Sequence, residues 1–174
     1  MTEARTIETL RHGILAGMAG GLAEVAWVML YAAASGDDAS IVARGVTTAA
    51  GISALLPAAP VAIGVAVHMT LAIGLGVVAV FAFEALQRRW PAIDNPYSFM
   101  LAALAGVWAI NFFVVLPVVS PGFVGIVPYA VSLISKLLFG AAAATTMRHW
   151  TKADANLRAL PVHARSQAPR DAPR

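Results

Sequence analysis

Four strongly polar side chains stand far from the ends of the long apolar segments of this sequence: Glu24, His68, Asn111 and Lys136. A carboxylate, an imidazole, a carboxamide and an ammonium can exchange protons or hold a small polar ligand, and the first two also bind metals. A charge at mid-membrane costs about 2.5–3.5 kcal/mol on insertion scales, so isolated ions are unfavourable if these segments cross a membrane. We therefore expect a Glu24–Lys136 ion pair, with His68 and Asn111 supplying the remaining hydrogen bonds. A neutral Glu24 is the alternative, because burial disfavours its charged form.

The four polar side chains are predicted to lie at similar depths in the membrane. At about 1.5 Å per helical residue, Glu24 and Lys136 both lie roughly 16 Å from the same membrane edge. His68 and Asn111 lie about one turn farther from that edge, so a bundle would place all four in one layer. Two interpretations remain open for the layer. It fixes the register of the helices, as buried polar groups sometimes do, or it is a site for a proton, a metal or a small ligand, the default for intramembrane ionisable residues.

The elements that carry these residues are predicted to be transmembrane helices. The chain is 59% hydrophobic and 12% charged, whereas soluble domains are about 25% charged. Four apolar segments reach the roughly 20 residues that cross a bilayer: about 13–34, 61–86, 97–119 and 124–147. The predicted fold is an all-α integral membrane four-helix bundle, and residues 13–150 form its transmembrane domain.

Small residues lie on the same helical faces as the polar groups. Gly17 and Gly21 precede Glu24 at helical spacing. Gly64 and Gly76 flank His68 in the same way. Small residues mark close helix contacts in lipid. We therefore expect the helices to pack through five glycines, which are Gly17, Gly21, Gly64, Gly76 and Gly140.

The basic residues predict the orientation. Ten of the twelve Lys and Arg residues flank one side of the four segments: Arg5, Arg11, Arg88, Arg89, Arg148, Lys152, Arg158, Arg165, Arg170 and Arg174. The positive-inside rule makes that side cytoplasmic, with both termini there. Residues 1–12 then form a cytoplasmic N-terminal segment. Residues 151–174, rich in Ala, Pro and Arg, are predicted to be a disordered cytoplasmic tail.

The connection between the first two helices is too apolar for a plain loop. Asp38 or Ser40 can cap a short helix, and the apolar residues after them recur on one face. We predict a short interfacial helix over about 39–56 on the outer surface. A re-entrant segment is the alternative.

Three short segments carry a resemblance to a known group. Residues 67–71 (VHMTL), 111–113 (NFF) and 135–140 (SKLLFG) resemble "VHFVLS", "NFY" and "SHLLFG" elements of small four-helix bacterial inner-membrane proteins of uncharacterised function. The resemblance covers most of residues 13–147. It implies a location in the bacterial inner membrane and a family-type polar core that contains Glu24, His68 and Asn111.

The resemblance also bears on metals. Lys136 stands where the family tends to have His. If the family site binds a metal through two imidazoles and a carboxylate, only Glu24 and His68 remain as ligands here, because a charged Lys is no ligand. We predict no cofactor, and Lys136 disfavours a metal.

Composition excludes several functions. Without Cys, disulfides and thiolate metal sites are ruled out. The net charge of +3 follows membrane topology and does not resemble a nucleic-acid footprint. An enzyme is the least supported class, because no nucleophile–base arrangement or cofactor motif is visible. Two classes remain: a protein that binds or transports protons or a small polar ligand, and a non-catalytic accessory subunit of a larger membrane complex. The expected partners are the lipid bilayer and either a second copy or such a complex.

Overall fold

The computed structural model describes residues 3–52 and 60–159, and every regular element in them is helical. In chain order the elements are α1 (Glu3–Ser35), α2 (Ala39–Ala49), α3 (Pro60–Arg89), α4 (Pro96–Ile110), a π-helix (Asn111–Val115), α5 (Leu116–Val119), α6 (Pro121–Val124) and α7 (Tyr129–Ala159). The described part of the chain contains no strand, which confirms the predicted all-α class.

Four helices are long and apolar enough to cross a membrane, as in a multi-pass membrane protein. They are Glu3–Ser35, Val61–Arg89, the continuous run Pro96–Val119, and Tyr129–Trp150. In the most apolar window of each, only 22% to 33% of the residues are buried inside the protein. The remaining apolar surface faces outward, which suits a hydrocarbon solvent and would be an aggregation liability in water.

The long helices pack side by side around α1. This helix contacts α3 on one side and α7 on the other, whereas α4 packs on α7 and shares few contacts with α3. Near the end that carries the start of α1, a buried cluster joins all four helices: Ala16, Ala72, Ala79, Val80, Phe83, Met100, Leu104, Phe139, Ala143 and Ala144. Apolar contacts therefore fill the bundle on one side of the polar groups.

The predicted packing glycines lie where helices approach each other. A Cβ added to Gly17 would lie 2.6 Å from the Cα of Ile73. One added to Gly76 would fall on the backbone of Gly17, and one on Gly140 would lie 3.1 Å from the carbonyl oxygen of Met100. The backbones of α1 and α3 therefore touch in a way that only glycine permits.

The third transmembrane run is irregular where Pro117 approaches. Proline has no N–H to donate to the carbonyl four residues earlier, and its ring crowds that carbonyl. The backbone widens instead, and the Leu116 N–H donates to the carbonyl of Asn111. The resulting π-helix begins at Asn111, one of the predicted polar residues.

The last helix differs from its predicted range at both ends. It begins at Tyr129, directly after Pro128, while residues 121–124 form a separate short helix. It also continues to Ala159, so residues 151–159 are helical rather than disordered. Those residues are mostly good helix formers that extend a helix already nucleated. The prediction for residues 160–174 lies outside the described residues.

Side-chain contacts bring three helix ends together. The Thr9 hydroxyl donates to Glu84 Oε1 at 2.9 Å, which ties the start of α1 to the end of α3. Glu84 is also 3.8 Å from Arg88, as their i,i+4 spacing predicts. The rings of His12 and Trp150 lie 5.1 Å apart, which ties the start of α1 to α7. The basic flanks of these helices consequently share one end of the bundle.

The predicted short helix between the first two spans is present as α2. Asp38 caps it and accepts a hydrogen bond from the Ser40 N–H at 2.8 Å. Hydrogen bonds from Ser40 hold the pKa of Asp38 below its ordinary value, so the cap is charged at neutral pH. The helix ends at Ala49, earlier than residue 56, because Gly51 turns the chain with a φ of 71°. Of the residues predicted to continue this helix, 53–56 lie outside the described part.

Candidate functional site

Three of the four predicted polar side chains meet around the carboxylate of Glu24. Glu24 is 2% exposed. Lys136 Nζ lies 2.6 Å from Glu24 Oε1, and His68 Nε2 lies 3.5 Å from Glu24 Oε2. The Ser135 hydroxyl donates weakly to Oε1 at 3.4 Å. The three residues Glu24, His68 and Lys136, called the triad below, join α1, α3 and α7.

Small residues one turn before Glu24 set this convergence. A Cβ added to Gly20 would lie 2.6 Å from the ring of Phe139 on α7. One added to Gly21 would lie 2.8 Å from the Cβ of Ala72 on α3. Because both neighbouring helices approach α1 this closely, Lys136 and His68 can reach the carboxylate from opposite sides.

The triad contains two polar atoms whose hydrogen bonding is incomplete. Glu24 Oε2 and His68 Nε2 are both buried, and neither makes a hydrogen bond within the described residues. A buried polar group left unsatisfied costs about 1–3 kcal/mol. The two atoms face each other, so one proton between them or one small hydrogen-bonding molecule would satisfy both.

A cavity of about 240 Å³ adjoins the triad. Glu24, His68 and Ser135 line it at one end, and the rest of its wall comes mainly from apolar residues of α1, α2 and α3. α2 lies against α3 beside it, at a contact where a Cβ on Gly64 would fall on the carbonyl of Ala43. The cavity therefore lies between the triad and α2, toward the end of the bundle opposite the start of α1.

Asn111 stands outside the triad. It begins the π-helix, and the described residues include no hydrogen bond or ion pair to its side chain. The neighbouring Trp108 donates instead to Ser132 Oγ at 2.9 Å and stacks near Phe112. Asn111 is separated from the triad by the lateral arrangement of the helices. The adjoining helix α4 packs on α7, away from the side where α3 meets α1. Asn111 was predicted at a similar depth in the membrane, but its side chain does not join Glu24, His68 and Lys136.

Sequence reasoning did not find Ser135 or the contribution of α2. Ser135 is adjacent to Lys136, and neighbouring helical residues point about 100° apart, so the two were not expected on one site. Ser132, one turn before Lys136, accepts a hydrogen bond from Trp108. For α2, amphipathicity predicted a helix on a surface but gave no sign of which helices it would cover.

The side chains around Glu24 offer few ligands for a metal ion. Within residues 3–52 and 60–159, no three His, Asp or Glu side chains meet in a group that could hold a metal ion. Glu24 and His68 are two possible donors, and the Lys136 ammonium lies beside the Glu24 carboxylate. Whether the protein binds a metal stays a prediction.

A second, larger cavity of about 550 Å³ lies near the opposite end of the bundle. Asp94, Asn95, Tyr97 and Arg148 are among the residues that line it. No buried unsatisfied side-chain atom of the described residues belongs to its lining. It is therefore a weaker candidate site than the cavity at the triad.

Comparison of the chain with protein-family models, with curated proteins and with solved structures gave no match. Function is therefore inferred from the geometry of the site. The resemblance of three segments to small bacterial inner-membrane proteins stays a prediction.

Proposed function

We propose that this protein is a proton-coupled transporter of a small ligand, with the triad as the coupling site. The observation that carries the proposal is the pair of buried atoms Glu24 Oε2 and His68 Nε2. They lie 3.5 Å apart, make no hydrogen bond within the described residues, and belong to side chains that line a cavity. Ionisable groups inside a membrane domain mark proton and substrate pathways. The accessory-subunit alternative has no comparable observation in its favour.

The charges of the triad suggest how coupling works. Lys136 compensates the carboxylate of Glu24 at 2.6 Å. A proton taken up by the site therefore goes to His68, the side chain suited to gain and lose charge near neutral pH. Protonation adds one positive charge beside the ligand cavity and makes both ring nitrogens of His68 hydrogen-bond donors. Ligand affinity and proton affinity must then change together, because coupling between two sites is reciprocal.

Proton movement by the triad is testable in vesicles. We expect the purified protein in sealed lipid vesicles with an internal pH dye to dissipate an imposed pH gradient, with valinomycin and potassium present to balance charge. Glu24→Gln and His68→Ala should each slow the flux at least tenfold, because each removes one of the two facing groups.

Two exposed residues provide matched controls for the vesicle experiment. Glu8→Gln and His149→Ala make the same kinds of change outside the site and should leave the flux unchanged. A wild-type flux no faster than that of protein-free vesicles would contradict proton movement. Equal flux in the wild type and both triad variants would remove the mechanism.

We further propose that the shared end of the bundle is cytoplasmic, in a bacterial inner membrane. The basic flanks of α1, α3 and α7 support this through the positive-inside rule. The chain has no Cys, so single substitutions report sidedness directly. In intact bacterial cells, a membrane-impermeant maleimide should label Ser35→Cys, and should label Glu8→Cys only after the membrane is permeabilised. The reverse pattern would invert the orientation.

A further inference from the structure

The cavity at the triad has one polar end and an apolar body. Its polar end is formed by the side chains of Glu24, His68 and Ser135. Away from that end the wall is mostly aliphatic, with Val28, Val42 and Val65 among its members. Ser40 also lines the cavity, but its hydroxyl is engaged by Asp38. A molecule that fills this space therefore needs a single polar group and a hydrocarbon remainder.

Charge balance indicates that the molecule is neutral. The Glu24 carboxylate already has Lys136 as its counter-ion at 2.6 Å. Among the described residues that line the cavity, only Glu24 and His68 are ionisable, so this part of the wall offers no further cation or anion to pair with a charged ligand. Transferring an ion from water into such a space without a partner is strongly unfavourable.

Hydrogen-bond geometry selects the polar group. The carboxylate oxygen accepts and cannot donate, so the ligand must donate to it. The facing nitrogen is 3.5 Å away, and a single oxygen atom can lie about 2.8 Å from both. A hydroxyl does this: it donates to Glu24 Oε2 and accepts from His68 when the neutral imidazole carries its proton on Nε2. An amine would be charged, and a ketone has no proton to donate.

The volume limits the hydrocarbon part. The cavity measures about 240 Å³, and an apolar cavity of about 150 Å³ is enough to hold benzene. We propose that the site binds a small uncharged alcohol with a compact hydrocarbon body, its hydroxyl between Glu24 and His68. This inference rests on the proposed function, since it names the class of ligand that the proton-coupled site carries.

Benzyl alcohol is a suitable probe, with toluene, benzylamine and benzoate as matched compounds. Binding to the purified full-length protein in detergent would be measured by titration with ligand-observed saturation-transfer NMR, with protein-free micelles as the blank. We expect saturable binding of benzyl alcohol at least tenfold tighter than that of the three other compounds. The alcohol should lose that tenfold preference over toluene in Glu24→Gln, which keeps the shape of the side chain.

A second pair of variants tests the location. Val25→Phe places a ring in the cavity and should abolish binding of the alcohol, whereas Val78→Phe, on a side chain that is 65% exposed, should leave it intact. Equal affinity for toluene and benzyl alcohol would overturn the proposal and make the cavity a purely apolar one, suited to a lipid chain. Tighter binding of benzylamine or benzoate, or no saturable binding, would also overturn it.

The two proposals fail separately. Saturable, Glu24-dependent binding of benzyl alcohol in a protein that moves no protons would retain the ligand class and reject the coupled transport. Proton flux that depends on Glu24 and His68, without preference for the alcohol, would retain the coupling and reject the ligand class.

Discussion

Replacing Lys136 with methionine is expected to destabilise the protein by about 3 kcal/mol, because it leaves a buried carboxylate without its counter-ion. Glu24 is 2% exposed, and the Lys136 ammonium is 2.6 Å from it. The free energy of unfolding can be measured by circular dichroism in mixed micelles of a mild detergent and dodecyl sulfate. The unfolding midpoint should move to a clearly lower fraction of dodecyl sulfate.

The double variant Glu24→Gln with Lys136→Met separates charge from packing. It removes both ions and should recover most of the lost stability, since replacing both members of a buried pair is often nearly neutral. The non-additivity of the two changes then measures their coupling. Arg44→Met is the matched control: it breaks an exposed pair with Asp38 at 3.3 Å and should leave the midpoint unchanged.

The same variants decide between the two interpretations of the polar layer. If Lys136→Met is as stable as the wild type, Glu24 carries its own proton and the ion pair is not what stabilises it. If the double variant is stable and still moves protons in vesicles, the Glu24–Lys136 pair is not part of the proton pathway. Stability without proton flux in the double variant is the outcome that the proposed function requires.

Depth along the membrane normal was predictable from sequence because the helical rise is constant. Counting residues from the ends of the apolar segments placed Glu24 and Lys136 at one level, and they form an ion pair. The cost of mid-membrane charge then made their pairing the expected arrangement. The same count placed Asn111 near that level, yet its side chain does not join the triad.

The lateral order of the helices was not predictable in the same way. It depends on which small residues face which neighbour, and glycine on a helix indicates a close contact without identifying the partner. Gly17 and Gly76 bring α1 against α3, whereas Gly140 brings α7 against α4. This pairing leaves α4 far from the side where His68 approaches Glu24. The enclosure of a cavity by α2 depends on the same contacts and was missed for the same reason.

The effect of alanine at a glycine of α3 should depend on whether another backbone packs against that glycine. Gly76 and Gly74 lie two residues apart on α3, both within its apolar span. A Cβ on Gly76 would fall on the backbone of Gly17, whereas a Cβ on Gly74 would have nothing within 4 Å. Alanine is normally the better helix former by about 1 kcal/mol. Gly74→Ala should therefore be neutral or slightly stabilising.

Gly76→Ala should instead cost about 3 kcal/mol, because the clashing atom is the Cβ itself and its neighbour is backbone that cannot rotate away. Unfolding in mixed micelles measures the difference between the two alanine variants. Since α1 and α3 must separate to admit the methyl group, the distance between Glu24 and His68 should also increase, and proton flux should fall with stability. Equal stability of the two variants would mean that α1 and α3 do not meet through Gly76, and the geometry of the triad would lose its support.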